Sequence, residues 1–257
     1  MQTKQALLAM GLAATSLLPI AGCKRNATTG ERSTTAYTQV NPATAGAIEG
    51  TIHLAHKAPP RVEIDMAQDP ACAMGTQGTN YSEGILATDG KLQNVFIYVK
   101  DGLGNKSYAP SSTPVVLDQQ GCRYVPHVIG VMVGQPVEFR NSDPTMHNVH
   151  MEPAVGGNQP FDISQPPNGG TTQHAFTAPE LMIPVRCNNH PWMQAFVNVA
   201  PNPFFAVSDG NGHYIINGLP PGVYTLVADQ EQLGQQQTTV TVTSHATAHT
   251  DFTYGNK

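Results

Sequence analysis

The sequence predicts an all-β protein. Short runs rich in valine, isoleucine, threonine and tyrosine recur along the chain, and glycine, proline and asparagine separate them. Few segments show the three-to-four-residue apolar spacing of an amphipathic helix. The 257 residues are enough for one large domain or two ordinary domains with cores of their own. We therefore expect several β-sheets and little helix.

Residues 1–22 predict a signal peptide. Lys4 gives a weakly basic start, and the apolar stretch at residues 6–20 is too short to span a membrane. The small residues before Cys23 resemble a bacterial lipobox, which implies cleavage before Cys23 and acylation of its thiol. An ordinary signal peptide that contains a cysteine by chance is the alternative. The lipobox implies a lipid anchor, and hence a protein of the cell envelope that faces the periplasm or the exterior.

Two segments follow the signal. Residues 23–45 are rich in threonine, serine, asparagine and alanine and almost lack large apolar side chains, which predicts a flexible tether. Residues 46–112 predict an N-terminal β segment, because residues 47–54 and 94–100 have the composition of strands.

The last segment, residues 202–257, predicts a series of hairpins. An Asp-Gly-Asn-Gly turn separates two short apolar runs, and a Gly-Leu-Pro-Pro-Gly turn leads into a Tyr-Thr-Leu strand. This pattern resembles the carboxypeptidase regulatory-like β-sandwich. The resemblance implies that residues 46–112 form the first half of the same sandwich and that the middle of the chain is inserted in it. The alternative is that residues 46–112 extend the middle domain and residues 202–257 form a separate small module.

The middle segment, residues 113–201, carries the candidate metal ligands. Cys187, His190 and Met193 lie in one short loop between two apolar runs that indicate strands, so that the loop presents all three to one point. His147 follows another strand candidate and a turn. A thiolate, two imidazoles and a thioether are the ligands of mononuclear copper sites that transfer electrons.

These residues resemble those of the cupredoxins, and the compact Cys-x₂-His-x₂-Met loop resembles the amicyanin branch. The match extends over residues 115–199. It implies a Greek-key β-sandwich or barrel, one copper ion that cycles between Cu(I) and Cu(II), and His147, Cys187, His190 and Met193 as its ligands. It also implies that Asn148 holds the ligand loop by hydrogen bonds near the thiolate. By proximity, Met146 and Met151 are alternative axial donors.

The resemblance also implies a route for electrons. They would leave through the exposed edge of His190, and Pro191 and Trp192 would form an apolar rim on which a redox partner docks weakly. We therefore expect an electron carrier whose partner is a redox protein of the envelope, such as a dehydrogenase or a cytochrome. The alternatives are an envelope copper carrier or buffer, and a surface β-sandwich in which copper is incidental.

Four cysteines are present, and two of them have roles assigned above. In an exported protein, the remaining pair, Cys72 and Cys122, is expected to form a disulfide. Two buried free thiols, or Cys122 acting near the metal, are the alternatives.

Composition excludes some function classes. Only 12% of the residues are charged, the formal net charge is −5, and no basic patch occurs, which excludes a nucleic-acid binder. A copper reductase or oxidase needs a second, substrate-binding copper with paired histidines, and the sequence has no His-x-His pair. We therefore expect a protein that is not an enzyme.

Overall fold

A computed structural model describes residues 36–75 and 78–255, and it confirms the all-β class. Within these ranges there is one short helix, α1 (Pro70–Gly75). No helix of the described residues has the length and the apolar composition needed to cross a membrane. The signal peptide, Cys23 and residues 24–35 of the predicted tether lie outside the described residues.

The strands of the described residues are β1 (Gly46–Leu54), β2 (Glu63–Ile64), β3 (Asn80–Tyr81), β4 (Ala87–Thr88), β5 (Lys91–Leu92), β6 (Phe96–Asp101), β7 (Val115–Gln119), β8 (Tyr124–Val125), β9 (Val128–Met132), β10 (Pro136–Asn141), β11 (His147–Met151), β12 (Phe161–Gln165), β13 (Thr172–Ala175), β14 (Glu180–Arg186), β15 (Gln194–Ala200), β16 (Phe205–Val207), β17 (His213–Leu219), β18 (Gly222–Gln230), β19 (Gly234–Val242), β20 (Thr247–His249) and β21 (Phe252–Tyr254).

Two sheets enclose a first hydrophobic core. In one sheet, β1 pairs antiparallel with β17 and β5 and parallel with β20 and β21; the other sheet has the order β16-β6-β18-β19. Strand β17 alternates between exposed and buried residues because one of its faces covers this core. Buried members of the first core include Ile48, Ile97, Tyr214, Leu226 and Tyr254.

Two further sheets enclose a second core. Their orders are β13-β10-β7-β8 and β12-β11-β14-β15-β9, and the pairs β7/β10 and β9/β15 are parallel. Consecutive strands pair antiparallel in β7/β8, β11/β12 and β14/β15, whereas the two parallel pairs require connections that cross between the sheets. Buried members of the second core include Leu117, Phe139, Val149, Val185 and Val197.

The chain contributes to the first core, passes to the second, and returns. Strands β1 and β6 and strands β17–β19 supply the first core, and β7–β15 supply most of the second. Ile64, Met66 and Cys72, which the sequence assigned to the N-terminal β segment, pack instead with the second core. Val40, in the predicted tether, packs against the first core. A small buried cluster joins β6 and β18 to β9 and β15; it contains Phe96, Tyr98, Val128, Phe196, Ala200 and Val227.

Candidate metal centre

Three of the four proposed ligands converge at one end of the second core. His147 begins β11, Cys187 directly follows β14, and His190 lies in the loop that leads to β15. β11 and β14 are antiparallel neighbours, so their pairing brings the start of one close to the end of the other. The three residues are 0–4% exposed.

The donor atoms of these three residues face one another. Nδ1 of His147 lies 2.9 Å from Nδ1 of His190, and Sγ of Cys187 lies 3.6 Å from Nδ1 of His190. Metal–nitrogen bonds of about 2.0 Å and metal–sulfur bonds of about 2.3 Å allow one ion to reach donors separated in this way. The donor set therefore fits a single soft or borderline ion such as copper.

A carboxylate holds the far side of each imidazole. Oδ2 of Asp143 lies 2.8 Å from Nε2 of His147, and Oδ2 of Asp69 lies 2.9 Å from Nε2 of His190. Because a carboxylate accepts a hydrogen bond, each Nε2 carries the hydrogen, and in the neutral ring the lone pair is on Nδ1. In both rings Nδ1 is therefore the atom on the side of Cys187, and it can bind an ion once it carries no hydrogen.

Asn148 connects β11 to the loop that contains Cys187, which is the role that the family resemblance implies for it. Its backbone N–H donates to Sγ of Cys187 at 3.3 Å, and its side-chain oxygen accepts a hydrogen bond from the backbone of Asn188 at 3.2 Å. Its amide group donates to Asp162 and to the carbonyl oxygen of Ile163. The thiolate and its loop are therefore fixed by a network of directed hydrogen bonds.

The methionines differ in their burial. Met193 is 1% exposed, packs in the same core as Cys187, and donates its backbone N–H to the carbonyl oxygen of His190 at 2.9 Å. Met146, one alternative axial donor, is 50% exposed, whereas Met151, the other, is buried within β11. Met193 stays the predicted axial ligand.

The charges of His147 and Cys187 depend on each other. Burial acts to lower the pKa of His147, but contacts with Asp143 and Cys187 outweigh it and raise this pKa to about 9. Burial acts to raise the pKa of Cys187, but contacts with His147 and with the backbone of Asn148 and Asn189 lower it to about 7. Between these values the metal-free site holds a thiolate beside an imidazolium, so metal binding must displace a proton from His147.

We expect the thiol of Cys187 to titrate near pH 7 in the metal-free protein. The lowered pKa of Cys187 and the raised pKa of His147 have opposite effects on the free energy of unfolding, so we expect the pair to change this free energy little between pH 7 and pH 9. The thiolate absorbance in the ultraviolet, followed against pH, measures the titration. A Cys187→Ser variant supplies the baseline, and a midpoint near 9 would contradict the expectation.

The structure joins Cys72 and Cys122 in a disulfide with a Cα–Cα distance of 5.6 Å. This pairing is the first of the possibilities weighed above for these two cysteines. The bond lies beside the metal centre, because Sγ of Cys72 is 3.7 Å from Nε2 of His190. The indole N–H of Trp192 donates to the carbonyl oxygen of Cys122 at 3.1 Å.

The expectation of an exposed His190 edge is wrong. His190 is 3% exposed, because the segment that contains α1 places Asp69 and Cys72 against its Nε2. Trp192 packs on the same ring, with 5.1 Å between ring centroids, and is partly buried. Of the predicted docking residues, only Pro191 is exposed.

Asp69 and Asp143 are the site residues that sequence reasoning missed. Asp143 lies four positions before His147, a spacing that could have suggested the contact, but it stands in a segment with the composition of a turn. Asp69 lies 121 positions before His190, and its only local signal is the Asp-Pro pair at the start of a helix. No periodicity or spacing connects it to the site.

No family model matches this chain, and no curated protein matches its sequence. Among solved structures, it is similar to a copper-containing nitrite reductase from Thermus scotoductus, with 27% identity and a TM-score of 0.32 over 39% of this chain. The chain spans only 25% of that reductase. It is also similar to the Cu(I) form of an amicyanin variant, with 22% identity and a TM-score of 0.31 over 42% of this chain and 99% of that one.

Proposed function

We propose that this protein holds one copper ion and carries single electrons. The observation that supports the proposal most is the convergence of two imidazole Nδ1 atoms and one thiolate in a buried pocket. When bound, copper supplies a one-electron redox couple, and the mixed nitrogen and sulfur donors suit both of its oxidation states. His147, Cys187 and His190 would hold the ion, with Met193 as the axial donor.

The surroundings of the ligands favour a retained ion over one that is delivered elsewhere. Each imidazole is held by a carboxylate, and the thiolate accepts a hydrogen bond from the backbone of Asn148. In a buried site with ordered ligands, the geometry of the ligands changes little when the charge of the ion changes. Release of the ion, in contrast, would require the segment that covers His190 to move away. This contrast supports an electron carrier over a copper carrier or buffer.

The setting of this function is also a proposal. A lipid anchor at Cys23 would hold the protein in the cell envelope, facing the periplasm or the exterior, and its partner would be a redox protein such as a dehydrogenase or a cytochrome. The protein itself would catalyse no reaction. We further propose that the copper domain, residues 113–201, is inserted into one regulatory-like β-sandwich; the pairing of β1 with β17, β20 and β21 supports this arrangement.

The absorption and EPR spectra of the protein loaded with Cu(II), followed by voltammetry, test the proposal. We expect an intense blue colour from thiolate-to-copper charge transfer and a reversible one-electron wave. A colourless Cu(II) complex would contradict the electron-carrier function. Rapid transfer of the ion to a copper-binding acceptor, without a reversible wave, would favour the copper carrier instead.

A further inference from the structure

The outer edge of His190 is covered by residues 65–75, which we call the cap. The cap contains α1, and the aspartate before this helix contacts the imidazole: Oδ2 of Asp69 lies 2.9 Å from Nε2 of His190. The cap therefore supplies the carboxylate partner of this nitrogen.

The two oxygens of Asp69 make different contacts. Oδ1 accepts hydrogen bonds from the backbone of Ala71 at 2.8 Å and of Cys72 at 3.3 Å, which is the geometry of a helix N-cap. Oδ2 contacts His190 and accepts a hydrogen bond from the hydroxyl of Thr145 at 3.2 Å. The helix thus orients the carboxylate, and the carboxylate in turn holds the imidazole.

The disulfide joins the cap to the segment that contains Cys122. Cys72, in α1, is joined to Cys122, whose backbone N–H donates to Oδ2 of Asp143 at 2.8 Å. Asp143 in turn contacts His147. The covalent bond therefore connects the two segments that hold the two imidazoles. Met66 and Cys72 are both buried in the second core, which fixes the cap further.

We propose that Asp69 is a positioning residue for His190. The disulfide-anchored cap places Asp69 beside this ring. There the carboxylate keeps the hydrogen on Nε2, so that Nδ1 is directed at the ion. The cap also closes the side from which a partner or a competing ligand would reach the ring. The inference rests on the proposed copper function. The cap and Trp192, which packs on the same ring, then lie between His190 and a partner that approaches from this side.

Two substitutions of Asp69 separate positioning from helix capping. Asp69→Ser keeps an N-cap hydroxyl but is too short to hold His190, and Asp69→Asn keeps the capping oxygen while placing an uncharged group at the imidazole. Loss of an outer carboxylate partner typically weakens metal binding by about 10–100-fold. We expect both variants to bind Cu(I) with an affinity reduced in that range, measured by competition with a chelator. We also expect their EPR spectra and reduction potentials to be altered.

Asp65→Asn is the matched control, because Asp65 is an exposed residue of the cap whose contact is with the backbone of Ala67. It makes the same change of charge, and we expect copper affinity and spectra like those of the unaltered protein. Equal effects of Asp65→Asn and Asp69→Asn would overturn the inference, because the effect would then come from charge alone.

The protonation of the His190 ring gives a readout that does not depend on copper affinity. Nitrogen NMR of the Cu(I)-loaded protein should show the hydrogen on Nε2 in the unaltered protein, with faster exchange of this hydrogen with water in Asp69→Ser. If the unaltered protein is blue and the Asp69 variants match it in affinity, potential and exchange, the inference fails while the proposed function stands. If the unaltered protein forms no blue copper complex, both fail.

Discussion

Replacing Cys187 with serine is expected to abolish the blue charge-transfer band and to weaken Cu(I) binding by more than the 10–100-fold typical of an outer-shell residue. The reason is that Cys187 is the thiolate among the converging donors, and a serine hydroxyl is a hard, neutral ligand that suits Cu(I) poorly. Absorption spectra and competition titrations against a Cu(I) chelator measure the two effects.

Asn189→Ser is a suitable control for this substitution. The side chain of Asn189 is exposed in the same loop, and its replacement keeps the backbone that contacts Cys187, so the variant tests the effect of altering the loop without removing a donor. Its spectrum should match that of the unaltered protein. Retention of the blue band in Cys187→Ser would contradict the ligand assignment and, with it, the electron-carrier function.

Removing the Cys72–Cys122 disulfide is expected to produce the largest loss of stability. The bond closes a loop with a sequence separation of 50, and the chain-entropy model assigns about 4 kcal/mol to a loop of this length. Both cysteines are almost fully buried, so a Cys72→Ala, Cys122→Ala variant loses the packing of two sulfur atoms together with the bond. Denaturant unfolding of the metal-free variant and the metal-free unaltered protein measures the difference.

Chemical reduction provides an independent comparison for the disulfide. The unaltered protein, unfolded in the presence of a thiol reductant, should approach the stability of the double variant, and the double variant should not respond to the reductant. A loss below about 1 kcal/mol would mean that packing of the cap, and not the covalent bond, holds residues 65–75 in place.

Local sequence patterns were sufficient for several features of this protein. The all-β class follows from short apolar runs and frequent turn residues, because strand and turn preferences act over a few neighbouring residues. Cys187, His190 and Met193 are close in the chain, so their spacing alone indicated a common site. The position of Asn148 beside the thiolate agrees with the expectation from the family resemblance, and no local pattern had indicated it.

The covering of His190 depends on contacts that are distant in the chain. The exposed imidazole edge expected from the ligand loop is closed by a segment more than a hundred positions away. Sequence patterns describe which faces of an element are apolar, but they do not specify which remote segment packs on a given side chain. The same holds for Met66 and Cys72, which leave the β segment that surrounds them in sequence and join the second core.

The sequence by itself therefore determined the fold class and indicated Cys187, His190 and Met193 as candidate ligands, since both depend on residue type and short spacing, whereas His147 was assigned through the family resemblance. Only the tertiary structure decided which nitrogen of each imidazole faces the thiolate, which carboxylates hold the rings, and that the cap covers His190. These properties arise when strand pairing and one disulfide bring remote segments together, and the geometry of hydrogen bonds then selects a single arrangement.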